Sequence, residues 1–357
     1  MRIDHGVHAT DLLGYSSAPP INDYNMNSTS QFGTEFCDHI AIVRFEDNAW
    51  QTPEFVPLAP LPMHPAAHVF HYSSSCFEGF KAYRWDDGKA RIFRLRDHLA
   101  RMQKSAASLR LPIPDAHMLE AMVVNLVAQQ IDDIPAPPSS LYLRPTLIGT
   151  LANIGAAAAP STEATLFVLA SPVGDYFTGA ATTLKLLVED QRARSTEQLG
   201  STKTGGNYAA ALGPTLDASE KYGTDQVLFC PHGDVQETGA ANFLLISDDE
   251  IITKPLDTTI LHGMTRDSIL KLAVELGYTV NERSFTVSEL LDFVTTYEAA
   301  LSGTAVCLSA VGALVYQGEE ITVCDGGAGP NTQRLRKALQ DVQCGRTPDT
   351  HNWLTEV

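Results

Sequence analysis

A lysine set among small residues is the first place where this chain could do chemistry. Lys203 stands in Ser201-Thr202-Lys203-Thr204-Gly205-Gly206-Asn207-Tyr208-Ala209-Ala210-Ala211, with two glycines ahead of a helix-forming run. Small neighbours let a bulky planar group lie close to the backbone. A lysine in a crowded site can lose its proton and attack a carbonyl, forming a Schiff base. Taken alone, Lys-Thr-Gly-Gly reads first as a surface lysine on a flexible loop. Three later stretches bear on it. Glu237 precedes Thr238-Gly239-Ala240-Ala241-Asn242. Gly263-Met264-Thr265 begins a helix, where free N–H groups and the dipole favour a phosphate. Ser302-Gly303-Thr304-Ala305 is a second small-residue turn with N–H and hydroxyl donors.

Each feature alone has an ordinary reading: a solvated strand residue, a helix cap, a turn. Together they offer an amine for an aldehyde, an acid for a ring nitrogen and donors for a phosphate. Those are the needs of pyridoxal 5'-phosphate.

Elements must position these groups. Residues 1–35 are polar and irregular and read as an arm. Residues 40–45 read as a strand, 47–48 as a turn, and 86–88 as a hairpin turn from which 90–94 pairs back. Asp97 is placed to cap the next helix, whose apolar positions Leu99, Met102, Ala106 and Leu109 share a face. Arg101 lies off that stripe and by spacing alone is a solvated arginine. A second helix over 115–130 turns Leu119, Met122, Val123 and Leu126 inward. Residues 141–146 alternate like a strand that Pro145 places at an edge or bulge. Residues 165–170 read as a buried strand, and 171–182 as a linker.

Beyond the linker, strands are expected at 184–188, 226–230, 235–237, 242–246 and 297–301. Helices are expected from Tyr208, over 265–276 with Gly277 as its stop, after the capping box Thr286-x-x-Glu289, and over 331–343. The first half has no βαβ rhythm, which suggests α+β. The division is an arm at 1–35, a small α+β domain at 36–170, the linker at 171–182 and a large cofactor-binding domain at 183–357.

Composition narrows the function classes. A length of 357 residues suffices for two domains with separate cores. With 25 basic and 42 acidic residues the net charge is −17, which argues against nucleic acid and anionic membranes as partners. An anionic cofactor stays possible, since a few local donors outweigh a global charge. No apolar run is long enough to span a bilayer, and the N-terminal residues lack the apolar core of a signal peptide. The six cysteines are scattered, with no Cys-x-x-Cys, and read as reduced thiols of a cytoplasmic protein. No His-x-x-x-His pair supports a metal site.

The chain resembles the branched-chain amino-acid aminotransferases, class IV pyridoxal-phosphate enzymes, from about Phe32 to Trp353. The resemblance is carried by Phe32-Gly33-Thr34, Phe70-His71-Tyr72, Phe77-Glu78-Gly79-Phe80-Lys81-Ala82-Tyr83-Arg84 and Leu141-Tyr142-Leu143-Arg144-Pro145-Thr146. Ser171-Pro172-Val173-Gly174, Lys203-Thr204-Gly205-Gly206-Asn207-Tyr208 and Ser302-Gly303-Thr304-Ala305 complete it. It implies the two-domain fold type IV, with the cofactor between the domains. It also implies that Lys203 holds the cofactor and shuttles a proton, Glu237 pairs with the ring nitrogen, and Tyr208 bonds the ring oxygen. Arg101, the Met264 and Thr265 amides and Thr304 would hold the phosphate. The Thr304 and Ala305 amides would take the substrate carboxylate, helped by Tyr72 of a partner subunit. Phe36, Phe77, Tyr142 and Tyr176 would line the side-chain pocket.

The implied activity moves the amino group of leucine, isoleucine or valine to 2-oxoglutarate, in a homodimer or larger homo-oligomer. Related activities on the same fold are a wider apolar range reaching methionine or phenylalanine, a D-amino-acid transaminase, and an aminodeoxychorismate-lyase-like enzyme. Arg144 is a candidate for the second carboxylate of 2-oxoglutarate, or else a structural ion-pair partner. The family's arginine upstream of the lysine matches Arg192 or Arg194. The small residues Ala156 and Ala240, with Leu199 before the lysine, suggest a roomier pocket. Val306 and Ser309 stand where some animal members carry a redox Cys-x-x-Cys.

Overall fold

The computed structural model describes residues 32–174, 183–305 and 307–357, so Tyr176, Val306 and nearly all of the expected arm lie outside the described residues. The first half contains β1 (His39–Glu46), β2 (Ala49–Trp50), β3 (Glu54–Pro57), α1 (His68–Tyr72), β4 (Ser75–Phe77), β5 (Phe80–Arg84), β6 (Ala90–Phe93), α2 (Leu95–Ser108), α3 (Ala116–Gln129), β7 (Ser140–Gly149) and β8 (Ala164–Val173). The second half contains β9 (Thr183–Glu189), α4 (Gly205–Tyr222), β10 (Gln226–Phe229), β11 (Asn242–Ile246), β12 (Glu250–Thr253), α5 (Met264–Glu275), β13 (Thr279–Glu282), α6 (Val287–Val294), β14 (Glu298–Gly303), β15 (Cys307–Tyr316), β16 (Glu319–Thr322), α7 (Pro330–Gln343) and β17 (Leu354–Glu356).

Two sheets form, in an α+β arrangement. The first runs β17-β6-β5-β7-β8-β1-β2, with β3 on β1 and β4 on β7, and its pairs among the described residues are antiparallel. Leu119, Met122, Val123 and Leu126 of α3 and Leu99, Met102 and Ala106 of α2 bury against it, as their helical spacing demands. The second sheet runs β10-β9-β15-β14-β11-β12-β13 and is mixed. Helix α4 joins the parallel pair β9–β10 and α5 joins the parallel pair β12–β13, so among the described residues crossover units appear only in this half. The last strand, β17, returns to the first sheet and pairs with β6. No described helix is long and apolar enough to cross a membrane.

Local expectations failed where distant contacts overrode them. Asp97 does not cap α2. The cap is Arg94, in the left-handed region at φ 55°, and Asp97 sits in the first turn. Arg94 is held there from outside: its N–H donates to the Trp353 carbonyl at 2.6 Å, and its guanidinium reaches Asp267 at 2.6 Å and Ser268 at 3.0 Å on α5. Such a backbone conformation persists only when its surroundings fix it.

Pro145 lies on a central strand, not an edge. Its carbonyl accepts from Glu78 N–H at 2.9 Å, but it has no N–H to return the bond, and the partner strand is interrupted there between β4 and β5. Helix α4 begins at Gly205 rather than Tyr208. Residues 235–237 form no named strand, although Gln236 N–H and Phe229 N–H each donate across to the facing segment. The capping box of α6 and the left-handed Gly277 after α5 are as expected.

Candidate active site

The lysine segment belongs to the second half of the chain, yet the first half holds it. Phe77 N–H donates to the Lys203 carbonyl at 3.1 Å, and Thr204 Oγ1 donates to the Ser75 carbonyl at 2.8 Å. Ser105 Oγ on α2 takes the Lys203 N–H at 3.1 Å. Asn207, buried, donates to the carbonyls of Leu199 and Thr202 and closes the loop. These bonds fix the backbone and leave the side chain facing a cavity. There Lys203 Nζ donates to Tyr208 Oη at 2.7 Å and lies 5.0 Å from the centre of the Phe77 ring.

That cavity is lined by both halves, Arg101 from the first and Lys203, Tyr208, Glu237, Met264, Thr265 and Thr304 from the second. Glu237 is 2% exposed. Its carboxylate accepts from Leu261 N–H at 2.8 Å and from Asn242 Nδ2 at 2.7 Å, and Arg194 Nε lies 2.7 Å away. Arg194 is therefore the upstream arginine of the site, while Arg192 is exposed and lies 3.8 Å from Glu189. Burial pushes the Glu237 carboxyl up to about 7, against the opposing pull of Arg194 and the Leu261 N–H. A cationic partner at this position would restore the charged form.

Opposite stands a set of free donors. Met264 and Thr265 open α5 after the cap Gly263, which gives no side-chain cap bond, and their N–H groups have no partner among the described residues. The same holds for the N–H groups of Thr304 and Ala305 in the turn after β14. Ser302 Oγ is buried without a hydrogen-bond partner beside them. Unsatisfied buried groups are rare and ask for a missing partner. An amine, a buried carboxylate and a cluster of anion donors around one cavity fit pyridoxal 5'-phosphate. Lys203, Tyr208, Glu237, Arg101, Met264, Thr265 and Thr304 are the residues that could hold it.

Arg101 is not a solvated arginine. It is 6% exposed, and its Nε and Nη2 make a two-pronged contact with Glu78 at 2.7 and 2.8 Å. Its Nη1 donates to the His262 carbonyl at 2.8 Å.

The expected substrate wall is assembled in part. Phe77, Tyr142 and Arg144 share one face of the first sheet. Arg144 stacks 4.7 Å from the Phe77 ring centre and donates to Tyr142 Oη at 2.9 Å. No carboxylate faces Arg144 among the described residues, so the ion-pair alternative finds no partner. Gly79 permits this arrangement: a Cβ there would lie 1.9 Å from Tyr142 Oη. Lys81, on the same face and 9% exposed, donates to the Ala305 carbonyl at 3.2 Å.

Phe36 is 44% exposed and is not part of the cavity lining. Tyr72 also lies away from this chain's cavity, its hydroxyl bonded to the Ile154 carbonyl. Ala240 lines the cavity, but Ala156 is buried next to His68, and Leu199 lies in the loop beneath Asn207; the roomier-pocket expectation keeps only Ala240. Sequence reasoning gave no role to Glu78, His98 or Asn242. A glutamate inside the apolar strand run Cys76-Phe77-Glu78-Gly79-Phe80, and a histidine one turn before Arg101, were the available signals.

Residues 75–314 match the family model described as amino-transferase class IV. The chain is 37% identical over 352 residues to the probable branched-chain-amino-acid aminotransferase of Streptomyces coelicolor, covering 95% of this chain and 96% of that protein. It is 35% identical over 347 residues to the cytosolic branched-chain-amino-acid aminotransferase of Saccharomyces cerevisiae, covering 92% of each. The crystal structure of the T.th. branched-chain amino acid aminotransferase with pyridoxamine 5'-phosphate superposes with a TM-score of 0.75 at 28% identity, over 88% of this chain and 97% of that one.

Proposed function

The chain belongs to the amino-transferase class IV family, and on that premise we propose that it moves the amino group of leucine, isoleucine and valine to 2-oxoglutarate with pyridoxal 5'-phosphate as resident cofactor. The observation that carries this reading is the meeting of Lys203, Tyr208, Glu237 and two clusters of free N–H donors around one cavity. The names and the cofactor-bound form of the related proteins support it.

When bound, the cofactor supplies an aldehyde carbon and an electron-withdrawing ring. The chain's residues supply the rest. Lys203 Nζ, which faces the cavity, would hold the aldehyde carbon and, once the substrate's amino group has displaced it there, would be the free amine that takes the proton from the substrate's Cα. Tyr208 Oη, 2.7 Å from that amine, bonds the ring oxygen and orients the lysine. Glu237 keeps the ring nitrogen protonated, with Arg194, Asn242 and Leu261 N–H holding its carboxylate in place. The start of α5, Thr304 and Arg101 bind the phosphate, as helix N-termini and arginine forks do. The Thr304 and Ala305 amides take the substrate carboxylate, on a turn that Lys81 ties down.

Phe77 and Tyr142 make an apolar wall that excludes water and disfavours an unpaired charge. Arg144, half-buried and without a carboxylate partner among the described residues, is suited to the second carboxylate of 2-oxoglutarate. Tyr72 would act on the site of a second copy. Phe70 and Ile154, 58% and 65% exposed beside it, support a homodimer or larger assembly. The cytosolic yeast relative supports a cytoplasmic location.

A panel of L- and D-amino acids with 2-oxoglutarate, read by 2-oxo acid release, tests the proposal. Leucine, isoleucine and valine should turn over best. Turnover of D-alanine or phenylalanine with none of the three would sink it.

A further inference from the structure

Arg101 reaches the cavity from a buried cluster that it shares with Glu78 and His98. Glu78 has no exposed surface, and Arg101 and His98 are 6% and 2% exposed. Glu78 Oε1 accepts from Arg101 Nε at 2.7 Å, and Oε2 accepts from Arg101 Nη2 at 2.8 Å. His98 Nδ1 lies 2.7 Å from Oε2. Burial opposes the Glu78 charge, but the Arg101 guanidinium and the hydrogen bonds from Arg101 and His98 outweigh it and hold the carboxyl well below its usual range. Burial lowers the His98 ring in turn, so the neutral imidazole with Nδ1–H donates to the carboxylate.

A guanidinium has two forks. Glu78 occupies the one made by Nε and Nη2, and the His262 carbonyl takes one N–H of Nη1 at 2.8 Å. Nη2 also lies 3.4 Å from His98 Nδ1, but that nitrogen's own hydrogen is given to Glu78, so one N–H of Nη1 and one of Nη2 keep no acceptor among the described residues, at the Nη1–Nη2 edge of a cation that lines the cavity with Met264, Thr265 and Thr304. This is the edge that matches two phosphate oxygens.

We propose that Glu78, steadied by His98, is a positioning residue that locks Arg101 so that its outer fork faces the cofactor phosphate. This rests on the proposed function and deepens it. The cluster has an electrostatic cost: Glu78 cancels the charge that would attract the phosphate. Locking and cancelling therefore have opposite signs in a variant. If orientation dominates, removing the carboxylate charge weakens phosphate recognition; if cancellation dominates, it strengthens it.

The test uses the full chain freed of cofactor, with pyridoxal 5'-phosphate and phosphate-free pyridoxal bound by equilibrium dialysis. Glu78→Gln should weaken pyridoxal 5'-phosphate about tenfold, the scale of one charge-assisted hydrogen bond. Pyridoxal should be unaffected within about twofold. In an Arg101→Met background the same substitution should add nothing, because contacts acting through one partner are not additive. Tighter binding by Glu78→Gln, equal weakening of both ligands, or a full further loss in the Arg101→Met background would each overturn the proposal. If Glu78→Gln does not melt cooperatively, His98→Ala decides: a phosphate-dependent loss supports the lock and unchanged binding overturns it. A wild-type chain that takes up no pyridoxal 5'-phosphate would instead bring down the proposed function, and the lock with it. Wild-type uptake with a silent Glu78→Gln removes the lock alone.

Discussion

Replacing Glu237 with glutamine should flatten the pH dependence of the cofactor-free chain's stability. Burial raises this carboxyl from an ordinary 4.5 to about 7, although Arg194 and the Leu261 N–H pull it down. The folded chain keeps the proton up to about pH 7, whereas the unfolded chain releases it near 4.5. The group's stabilising contribution is full below the unfolded value and is lost as pH rises through the folded one. A gap of about 2.5 corresponds to about 3.4 kcal/mol in total. Between pH 5.5 and 8 the loss is about 2 kcal/mol.

The assay is the urea midpoint of wild type and Glu237→Gln, each freed of cofactor, across that pH range. Other titrating groups cancel in the difference, and the unpaired Arg194 of the variant adds an offset that does not depend on pH. Wild type should lose about 2 kcal/mol more than the variant between pH 5.5 and 8. Pyridoxal 5'-phosphate should recover that loss, since a protonated ring nitrogen gives the carboxylate a second cation. A difference that stays constant with pH refutes the reasoning. It would mean that Arg194 outweighs burial and the carboxylate is already charged at pH 5.5.

Lys203→Ala should abolish the borohydride-stable attachment of cofactor, seen by intact-chain mass; a persisting adduct on another lysine would refute the assignment. Tyr208→Phe removes the acceptor 2.7 Å from Lys203 Nζ and should shift the visible band of the bound cofactor, while thermal stability changes by no more than about 1 kcal/mol, the net worth of one hydrogen bond. Gly79→Ala would place a Cβ 1.9 Å from Tyr142 Oη and 2.7 Å from its Cζ, so the ring must move. The expected cost is about 1–3 kcal/mol by denaturant titration, with a raised KM for 2-oxoglutarate, and unchanged values for both would contradict the packing. Arg144→Met should lower kcat/KM for 2-oxoglutarate by about 30-fold or more, the cost of unpairing a buried carboxylate, while the leucine half-reaction changes little. Equal losses in both would remove Arg144 from the second-carboxylate role.

Local chemistry was legible in the sequence because it needs particular residue types close together. Lys203 with its two glycines, the phosphate-ready start of α5 and the 302–305 turn could be read without coordinates, as could the buried faces of α2 and α3. Each depends on spacing within a few residues. What escaped were contacts between residues far apart in the chain. Arg192 and Arg194 are two positions apart and equivalent in the sequence; only folding buries Arg194 against Glu237 and leaves Arg192 outside. Asp97 looked like a cap, but Trp353 and Asp267 hold Arg94 in the capping place from more than 170 residues away. Pro145 signalled an edge or a bulge because it lacks an N–H, yet the structure places that missing bond opposite Glu78 in a central strand, where the facing strand is interrupted. Glu78 itself was one letter in a familiar stretch. Its meaning came from a helix that brings Arg101 and His98 around it, since a buried charge is tolerable only where tertiary structure delivers its partners.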